Sequence, residues 1–359
     1  MKNTIVGVDL AKEVIQVCIY TNKKVHSNKK MSHKEFRAWL FKTTPTTIVF
    51  EACGTSNYWK QKAIEAGHKA QLISAKLVAT VRQNQKTDKN DALAIIQASQ
   101  LPDIQFIKGK SAEQQQLQSM LRLRELAIKQ KTSSSNQIKA LLLEFNIRVS
   151  PRNGGLKGVV QSTLEDGENG LSFLFREALG AAWKHYLNLL ESIRIYDDCL
   201  ESSISEHADC KRLLKLEGVG TVNAINLYIA LACGELGAFT KGKDASACIG
   251  LTPLQYSSGG KTTLGSIGRY VKNSLLRSQL ITGAMAAVSQ AVKRIAVTKK
   301  DVWIQGLVER RGKKCAAVAL ANKTVRTAYA MLANGTEYKA ELLPVVKKEL
   351  LPDLEVECA

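Results

Sequence analysis

Long apolar runs are missing from this 359-residue sequence, which nowhere places about twenty apolar residues in a row. A membrane-spanning helix is therefore not expected. No cleavable leader is expected either, since the first residues, Met1 to Asp9, pass directly into a predicted β-strand. We expect a soluble, cytoplasmic protein that does not associate with a membrane.

Paired cysteines and clustered histidines are also missing. The eight cysteines are scattered without a C-x-x-C pair, and the five histidines do not lie beside them at metal-ligand spacing. Reduced cytosolic thiols are therefore favoured over disulfides or a zinc site. No histidine follows His207, so the chain beyond it lacks an imidazole to serve as a base.

Acidic residues are scarce relative to basic ones. Lys and Arg number 51 against 32 Asp and Glu, which gives a formal charge of +19, and residues 241–330 alone hold sixteen cations and three anions. An excess of this size attracts polyanions with salt-sensitive affinity. Nucleic acid is the leading partner, which predicts association with the nucleoid, and the alternative is a basic surface that is merely solvated.

Residues 1–110 alternate between strand patterns and helix patterns. The β-branched and apolar runs Thr4–Val8 and Val14–Tyr20 flank a turn and predict a hairpin, and a third strand is predicted at Val25–Met31. A capping box at Ser32–Glu35 then opens a helix. Further strands are predicted at 46–50 and 70–73, and further helices at 58–66 and 75–82. This order predicts a mixed α/β domain.

Long helical patterns dominate residues 111–210. No proline or glycine interrupts Ser111–Phe145, whereas Pro151–Gly170 is rich in glycine and predicts a loop. From Trp183 to Ile204 apolar residues recur at spacings of three and four, which is typical of a coiled-coil seam. An antiparallel hairpin or an oligomerisation arm is expected. Shorter, glycine-punctuated segments predict a separate, mainly α-helical domain at 211–340, followed by a tail at 341–359.

Four carboxylates stand out in the first domain. Asp9 and Glu51 each end an apolar strand, and Asp88 and Asp91 are three residues apart on one helical face. Four converging anions repel one another unless divalent cations neutralise them. Oxygen ligands suit Mg²⁺ or Mn²⁺, which can clamp the attacking and leaving oxygens of a phosphodiester. Singly, each carboxylate also has an ordinary explanation as a turn or helix-cap residue.

Two glycine-rich segments of the C-terminal domain are candidate phosphate sites. Around Gly218 and Gly220 the sequence resembles the turn of a helix-hairpin-helix element, whose backbone N–H groups can hold a DNA phosphate. The alternative is a plain turn between helices. Further on, a small cationic loop ends at Lys261 and contains Ser257 and Ser258.

A serine in this loop needs activation before it attacks phosphorus, and with no histidine nearby a metal, a carboxylate or substrate positioning must supply it. On chemistry alone, a turn serine is the better explanation. Three cations on the next predicted helix can bind the phosphate backbone or form an exposed basic face; these are Arg269, Lys272 and Arg277.

Taken in order, these motifs resemble one family. They are Gly7–Lys12, Phe50–Gly54, Lys86–Ala92, Glu217–Gly220 and Gly250–Lys261. The same series is found in the DEDD insertion-sequence transposases related to the Piv and MooV DNA invertases, and the similarity spans nearly the whole chain. The resemblance implies a RuvC-like domain of ribonuclease-H type, in which Asp9, Glu51, Asp88 and Asp91 hold Mg²⁺ or Mn²⁺.

The resemblance also implies a nucleophile and partners. Ser258 follows Tyr256 by two residues, precedes Gly259, and matches the family's serine, with Ser257 as the off-by-one alternative. The implied chemistry is a covalent phosphoserine link to DNA at a composite site completed by carboxylates of a neighbouring protomer. A dimer or tetramer bridged through the coiled coil, and a structured noncoding guide RNA that pairs with donor and target DNA, are implied as well.

The expected function is that of a DNA transposase that moves its own insertion element by cutting and rejoining strands without hydrolysis. A site-specific DNA invertase, or a RuvC-like nuclease that uses metal-activated water, is the neighbouring alternative. A non-catalytic nucleic-acid-binding protein is the alternative from a different class.

Overall fold

A computed structural model describes residues 4–83, 85–233, 239, 241–268 and 274–343. The chain forms two compact units. The first comprises the residues up to Leu214 together with Gly220–Ala245, and the second comprises Lys215–Val219 and the residues from Ser246 onward. The first unit therefore includes both the N-terminal sheet and the long helices that the sequence pattern assigned to separate segments. Within the described ranges, no helix is both long and apolar enough to cross a bilayer.

A five-stranded mixed sheet forms the centre of the first unit. Its strands are β1 (Thr4–Leu10), β2 (Ile15–Thr21), β3 (Lys24–Met31), β4 (Thr47–Glu51) and β5 (Lys69–Ile73). They lie in the order β3-β2-β1-β4-β5, with β1 to β3 antiparallel and β1, β4 and β5 parallel. The predicted mixed α/β domain is confirmed.

Helices cover both faces of this sheet. They are α1 (His33–Lys42), α2 (Ser56–Glu65), α3 (Ala75–Val81) and α4 (Asp88–Ser99). Phe36 of α1 and Trp59 of α2 pack on one face against Val8 and Phe50. The other face is covered by α3 and α4, where Ile95 packs with sheet residues. The predicted capping box at Ser32 and Glu35 is present.

Two long helices extend the first unit, α5 (Ala112–Glu144) and α7 (Phe173–Glu206). Arg124 pairs with Asp197, whereas Ile138 packs near Trp183, so the helices run antiparallel as expected. The unit also contains α8 (Ala208–Leu213), α9 (Thr221–Tyr228) and a π-helical turn at Ile229–Cys233.

The prediction of a loop at Pro151–Gly170 is wrong. A 3-10 turn at Pro151–Asn153 leads into the helix α6 (Gly155–Glu165). Its residues Val159 and Val160 are buried against Ile138 and Leu142 of α5. Burial of two valines contributes about 3 kcal/mol or more, which outweighs the cost of about 1 kcal/mol for each helical glycine.

The second unit combines helices with one β-hairpin. Helix α10 (Gly242–Cys248) contains the boundary between the units, and it is followed by strands β6 (Pro253–Ser258) and β7 (Lys261–Ile267). Helices α11 (Ser274–Ala291) and α12 (Lys299–Asn334) complete the unit, and α12 is interrupted at Gly312. The expected mainly helical region is confirmed, but the predicted serine loop is a hairpin. Its two glycines form the turn, and the residues on either side pair as strands.

Candidate active site

Asp9 and Glu51 lie at neighbouring strand ends of the sheet. Strands β1 and β4 are parallel with Val8 opposite Phe50, so Asp9 and Glu51 follow one residue further along each strand. Burial raises the pKa of Asp9, and the nearby Asp91 and Asp88 raise it further. The pKa of Glu51 is raised by burial and then by Asp9 and Asp91. Anionic charge is therefore concentrated at this edge of the sheet.

Helix α4 carries the two remaining acidic residues in its first turn. The Thr87 hydroxyl accepts from the Asn90 N–H and caps the helix, and Asp88 and Asp91 follow it. Acidic side chains at a helix N-terminus also stabilise the helix by interacting with its dipole. Asp88 and Asp91 can therefore still be explained as ordinary helix-start residues. The placement nevertheless brings both within electrostatic reach of Asp9.

Gly7 allows α4 to approach β1 this closely. A Cβ atom on Gly7 would lie 2.3 Å from the Ala92 carbonyl oxygen and 2.7 Å from Ile96 Cγ1. Any larger residue at position 7 must push the helix away from the strand. Since Ala92 directly follows Asp91, the same displacement would move Asp91 relative to Asp9.

Cations already hold two of the four carboxylates. Arg82 Nη1 lies 2.8 Å from Asp91 Oδ1, and these side chains are 24% and 12% exposed. Lys30 Nζ lies 3.0 Å from Asp88 Oδ2 in a more exposed pair. Among the residues that the structure describes, no three carboxylate, thiol or imidazole side chains converge as a ready metal-ligand group. A metal that used both oxygens of Asp91 or of Asp88 would have to displace Arg82 or Lys30, because each of these cations already contacts one carboxylate oxygen.

The donor set nevertheless suits a hard divalent cation. All four side chains offer carboxylate oxygens, the ligand type that Mg²⁺ and Mn²⁺ accept. Burial raises the pKa of Asp9 and Glu51, and repulsion between the carboxylates raises it further. A bound cation would relieve that repulsion. A cation here would act as a Lewis acid on a phosphodiester oxygen.

The hairpin of the second unit carries the serine candidates. Ser258 ends β6 directly opposite Lys261, and the turn between them consists of Gly259 and Gly260 with φ of 55° and 77°. Two left-handed residues are what a two-residue hairpin turn of type I′ requires. Because opposite residues project to one face of a hairpin, the Lys261 ammonium is carried beside the Ser258 hydroxyl.

Ser257 belongs to the other face of the hairpin. It is paired with Thr262, and alternation along a strand turns its side chain away from that of Ser258. Nearly every residue of both strands is exposed. The hairpin therefore presents both faces to solvent and offers the two serines in different directions.

Arg277 contacts the chain at both ends of the hairpin. Its Nε donates to the Gly250 carbonyl at 3.0 Å, just before β6. A Cβ atom on Gly268, just after β7, would lie 2.5 Å from Arg277 Cζ, so the guanidinium lies against that glycine. The position of Arg277 is thus explained by contacts within the protein. Arg269 and Lys272, the two other predicted cations, lie outside the described residues.

The predicted phosphate-binding glycines have different surroundings. Gly218 has φ of 75°, and a Cβ atom on it would lie 2.5 Å from the Gly283 carbonyl oxygen of α11, so close packing requires glycine there. Gly220 is the N-cap of α9 and has open space around its Cβ position. Beside them, Glu217 accepts from Lys300 at 2.6 Å and from the Tyr338 hydroxyl at 2.7 Å.

Sequence reasoning missed Arg82, Lys30 and Gln16. No local pattern marks the first two, because their roles depend on contacts that only the fold creates. Gln16 carried a signal, since it is the one polar residue in the apolar run Ile15–Ile19 of β2.

Two features are typical of an enzyme that acts on nucleic acid. Carboxylates lie together at one edge of a mixed sheet, and the chain as a whole carries an excess of positive charge. Comparison with known proteins agrees. Residues 6–147 match a family model described as "Transposase", and residues 210–297 match one described as "Transposase IS116/IS110/IS902 family".

Full-length relatives extend this match. The transposase for insertion sequence element IS1111A of Coxiella burnetii is 32% identical over 336 residues, which cover 93% of this chain and 91% of the relative. A probable family 20 transposase of Pseudomonas aeruginosa is 32% identical, with coverage of 93% and 98%. The pilin gene-inverting protein of Moraxella bovis is 22% identical, with coverage of 92% and 96%.

The chain belongs to the IS116/IS110/IS902 family of transposases. It is accordingly an enzyme that cleaves and rejoins DNA.

Proposed function

We propose that this transposase joins itself to DNA through Ser258, and that Asp9, Glu51, Asp88 and Asp91 hold Mg²⁺ or Mn²⁺ in a RuvC-like first domain. The observation that carries the metal part is the concentration of carboxylates at the ends of β1 and β4, where burial raises the pKa of Asp9 and Glu51 and the neighbouring carboxylates raise it further. The nucleophile is supported by the exposed position of Ser258 opposite Lys261.

The proposed strand transfer conserves the number of phosphodiester bonds. Ser258 Oγ bonds to the scissile phosphorus while the bond from phosphorus to one deoxyribose oxygen breaks. The serine proton is balanced by protonation of that leaving oxygen. In the second step a deoxyribose hydroxyl of the new partner strand attacks the phosphoserine and releases Ser258. No water is consumed, so the bond energy is kept for rejoining.

Lys261 is proposed to contact the same phosphate. Its ammonium is a compact positive charge, and the hairpin register keeps it on the face of Ser258. This charge favours the extra negative charge that develops on the phosphate oxygens. Gly218, Gly220, Arg269 and Lys272 remain proposed nucleic-acid contacts. Arg277, the fifth predicted contact, is proposed instead to hold the base of the hairpin, because its guanidinium already bonds within the protein.

A structured guide RNA and a homo-oligomer, either a dimer or a tetramer, complete the proposal. Both rest on the family resemblance, and the charge of +19 is consistent with a protein that holds RNA as well as DNA at the nucleoid. Site-specific inversion is the second candidate, because the Moraxella relative is named a pilin gene-inverting protein.

The nucleophile is tested with a matched pair of variants. Purified protein, RNA from the element and labelled element-end DNA are mixed, and the protein–DNA adduct is measured on a denaturing gel. Ser258→Ala is expected to abolish the adduct, whereas Ser257→Ala, its neighbour on the opposite face, is expected to retain it. An adduct formed by Ser258→Ala would remove the proposed nucleophile, and free 5′ phosphates without attached protein would favour a hydrolytic nuclease.

The composite site is tested by mixing subunits. Asp9→Asn and Ser258→Ala are each expected to be inactive alone. If the carboxylates and the serine act from different protomers, a mixture of the two variants recovers part of the wild-type recombination. No recovery in a mixture that still assembles would place both functions in one chain. Deletion and inversion products, scored on matched plasmids, distinguish a transposase from an invertase.

A further inference from the structure

A buried amide lies beside Asp9. Gln16 on β2 is only 1% exposed, although its neighbours Ile15 and Val17 are apolar core residues. Antiparallel pairing places Gln16 directly opposite Asp9. Opposite residues on adjacent strands project to the same face with Cβ atoms about 5 Å apart. The amide and the carboxylate therefore share one face of the sheet.

A chain of hydrogen bonds sets the orientation of this amide. Gln16 Nε2 donates to Asn28 Oδ1 at 2.6 Å, and Asn28 Nδ2 donates to the Lys89 carbonyl at 3.0 Å. A backbone carbonyl only accepts, so Asn28 must use its amide nitrogen for Lys89 and its oxygen for Gln16. Gln16 must therefore donate to Asn28 through its own amide nitrogen. The amide cannot flip without losing this chain. The polar atom of Gln16 that takes no part in this chain of hydrogen bonds is therefore its side-chain carbonyl oxygen.

That oxygen, Oε1, is buried and has no hydrogen-bond partner among the described residues. The strand order β3-β2-β1 puts Asn28 on one side of Gln16 and Asp9 on the other. With the amide nitrogen bonded to Asn28, the oxygen is the polar atom of this side chain that is left for a partner beside Asp9. An unsatisfied buried acceptor is unfavourable, and a second acceptor beside an anionic carboxylate adds repulsion. A cation is a partner that satisfies both oxygens at once.

We propose that Gln16 Oε1 is a further oxygen donor to the divalent cation held by Asp9. This inference rests on the proposed metal site and extends it by one neutral ligand. Hard cations accept amide and carbonyl oxygens alongside carboxylates, and a neutral donor fills a coordination position without adding to the crowded negative charge. Asn28 then acts as a positioning residue that keeps the oxygen of Gln16 turned toward the cation.

The test measures Mn²⁺ binding to the full chain in the absence of DNA, by titration calorimetry and by the Mn²⁺-induced rise in melting temperature. Gln16→Met keeps the length of the side chain and removes the oxygen, so Mn²⁺ affinity is expected to fall by about tenfold or more. Gln16→Glu keeps the shape and makes the oxygen anionic. It is expected to bind Mn²⁺ more tightly and to melt at a lower temperature without metal.

Opposite effects of the two variants on affinity distinguish a ligand from a structural amide. A structural amide predicts that both variants bind Mn²⁺ as wild type does, or that both bind it more weakly, and either result overturns the inference. If Gln16→Met does not fold, Gln16→Glu alone tests the inference. Unchanged or weaker Mn²⁺ binding by Gln16→Glu would overturn it.

Two controls complete the design. Cys18→Ala truncates a buried side chain two residues further along the same face, opposite Gly7, and should lower the melting temperature equally with and without Mn²⁺. Asp9→Asn should abolish Mn²⁺ binding. If Asp9→Asn binds Mn²⁺ normally, the proposed metal site is wrong. If Asp9→Asn loses binding while both Gln16 variants match wild type, only the role of Gln16 is refuted.

Discussion

Replacing Gly7 with alanine tests how closely α4 must approach β1. The added Cβ would lie 2.3 Å from the Ala92 carbonyl oxygen, whereas ordinary contacts begin at 3.4 Å, so the helix must retreat by about 1 Å. Overpacking of this kind costs about 1–3 kcal/mol. At roughly 2–4 °C per kcal/mol for a domain of this size, the melting temperature should fall by about 2–12 °C.

The same retreat moves Asp91 away from Asp9, because Asp91 precedes Ala92 in α4. A misplacement of about 1 Å exceeds the tolerance of about 0.5 Å for a preorganised site, so Mn²⁺ affinity should fall with stability. Differential scanning fluorimetry and calorimetric titration measure the two effects. Gly180→Ala is the matched control, since nothing lies within 4 Å of its Cβ position in α7. It should stabilise the protein by about 0.5–1 kcal/mol. A Gly7→Ala protein that melts and binds Mn²⁺ like wild type would refute this account of the interface between α4 and β1.

Three further changes probe contacts seen in the structure. Arg82→Gln leaves the mostly buried Asp91 carboxylate without its cation, so metal-free protein should lose about 1–3 kcal/mol of unfolding free energy and gain more stability than wild type when Mn²⁺ is titrated in; equal Mn²⁺ responses would contradict this. Arg277→Gln removes the guanidinium that holds the base of the hairpin and should slow adduct formation at saturating DNA; because that guanidinium bonds within the protein, the slope of log affinity against log salt should change by well under 1, and a change of about 1 would identify a phosphate contact. Burial alone would raise the pKa of Asp301. Hydrogen bonds outweigh burial and hold this pKa below its ordinary value; they come from Arg294, from the backbone N–H groups of Val297 and Thr298, and from the Thr298 side chain. The stabilisation from Asp301 is therefore present above about pH 4 and lost as pH falls further, so urea titrations from pH 7 to pH 3 should show a smaller loss of stability for Asp301→Asn than for wild type, and equal losses would count against the assignment.

Sequence patterns predicted the sheet well because its signals are local. Apolar strands, the capping box at Ser32 and the uninterrupted run of α5 each depend on neighbours within a few turns of chain. Strand-end acidic residues were recognisable for the same reason. Their joint role as metal ligands remains a prediction.

Errors arose where tertiary burial or turn chemistry decided the outcome. Glycine content suggested a loop before Gly170, yet burial of Val159 and Val160 makes α6 a helix. Around Ser258, two adjacent glycines suggested a flexible loop, although such a pair is equally the turn of a tight hairpin. The ion pair of Arg82 was beyond prediction, since it joins residues nine positions apart that only the fold brings together. Gln16 could have been singled out as the polar residue of an apolar strand, but its unsatisfied acceptor oxygen is visible only in the structure.

The β6–β7 hairpin has one more consequence. Its side chains are almost entirely exposed, so it contributes little to any hydrophobic core. Point changes there, apart from those at the two turn glycines, should leave folding nearly untouched. Outside Ser258, Lys261 and the turn glycines, substitutions in this hairpin can therefore alter its contacts with other molecules while the fold of the second unit stays the same.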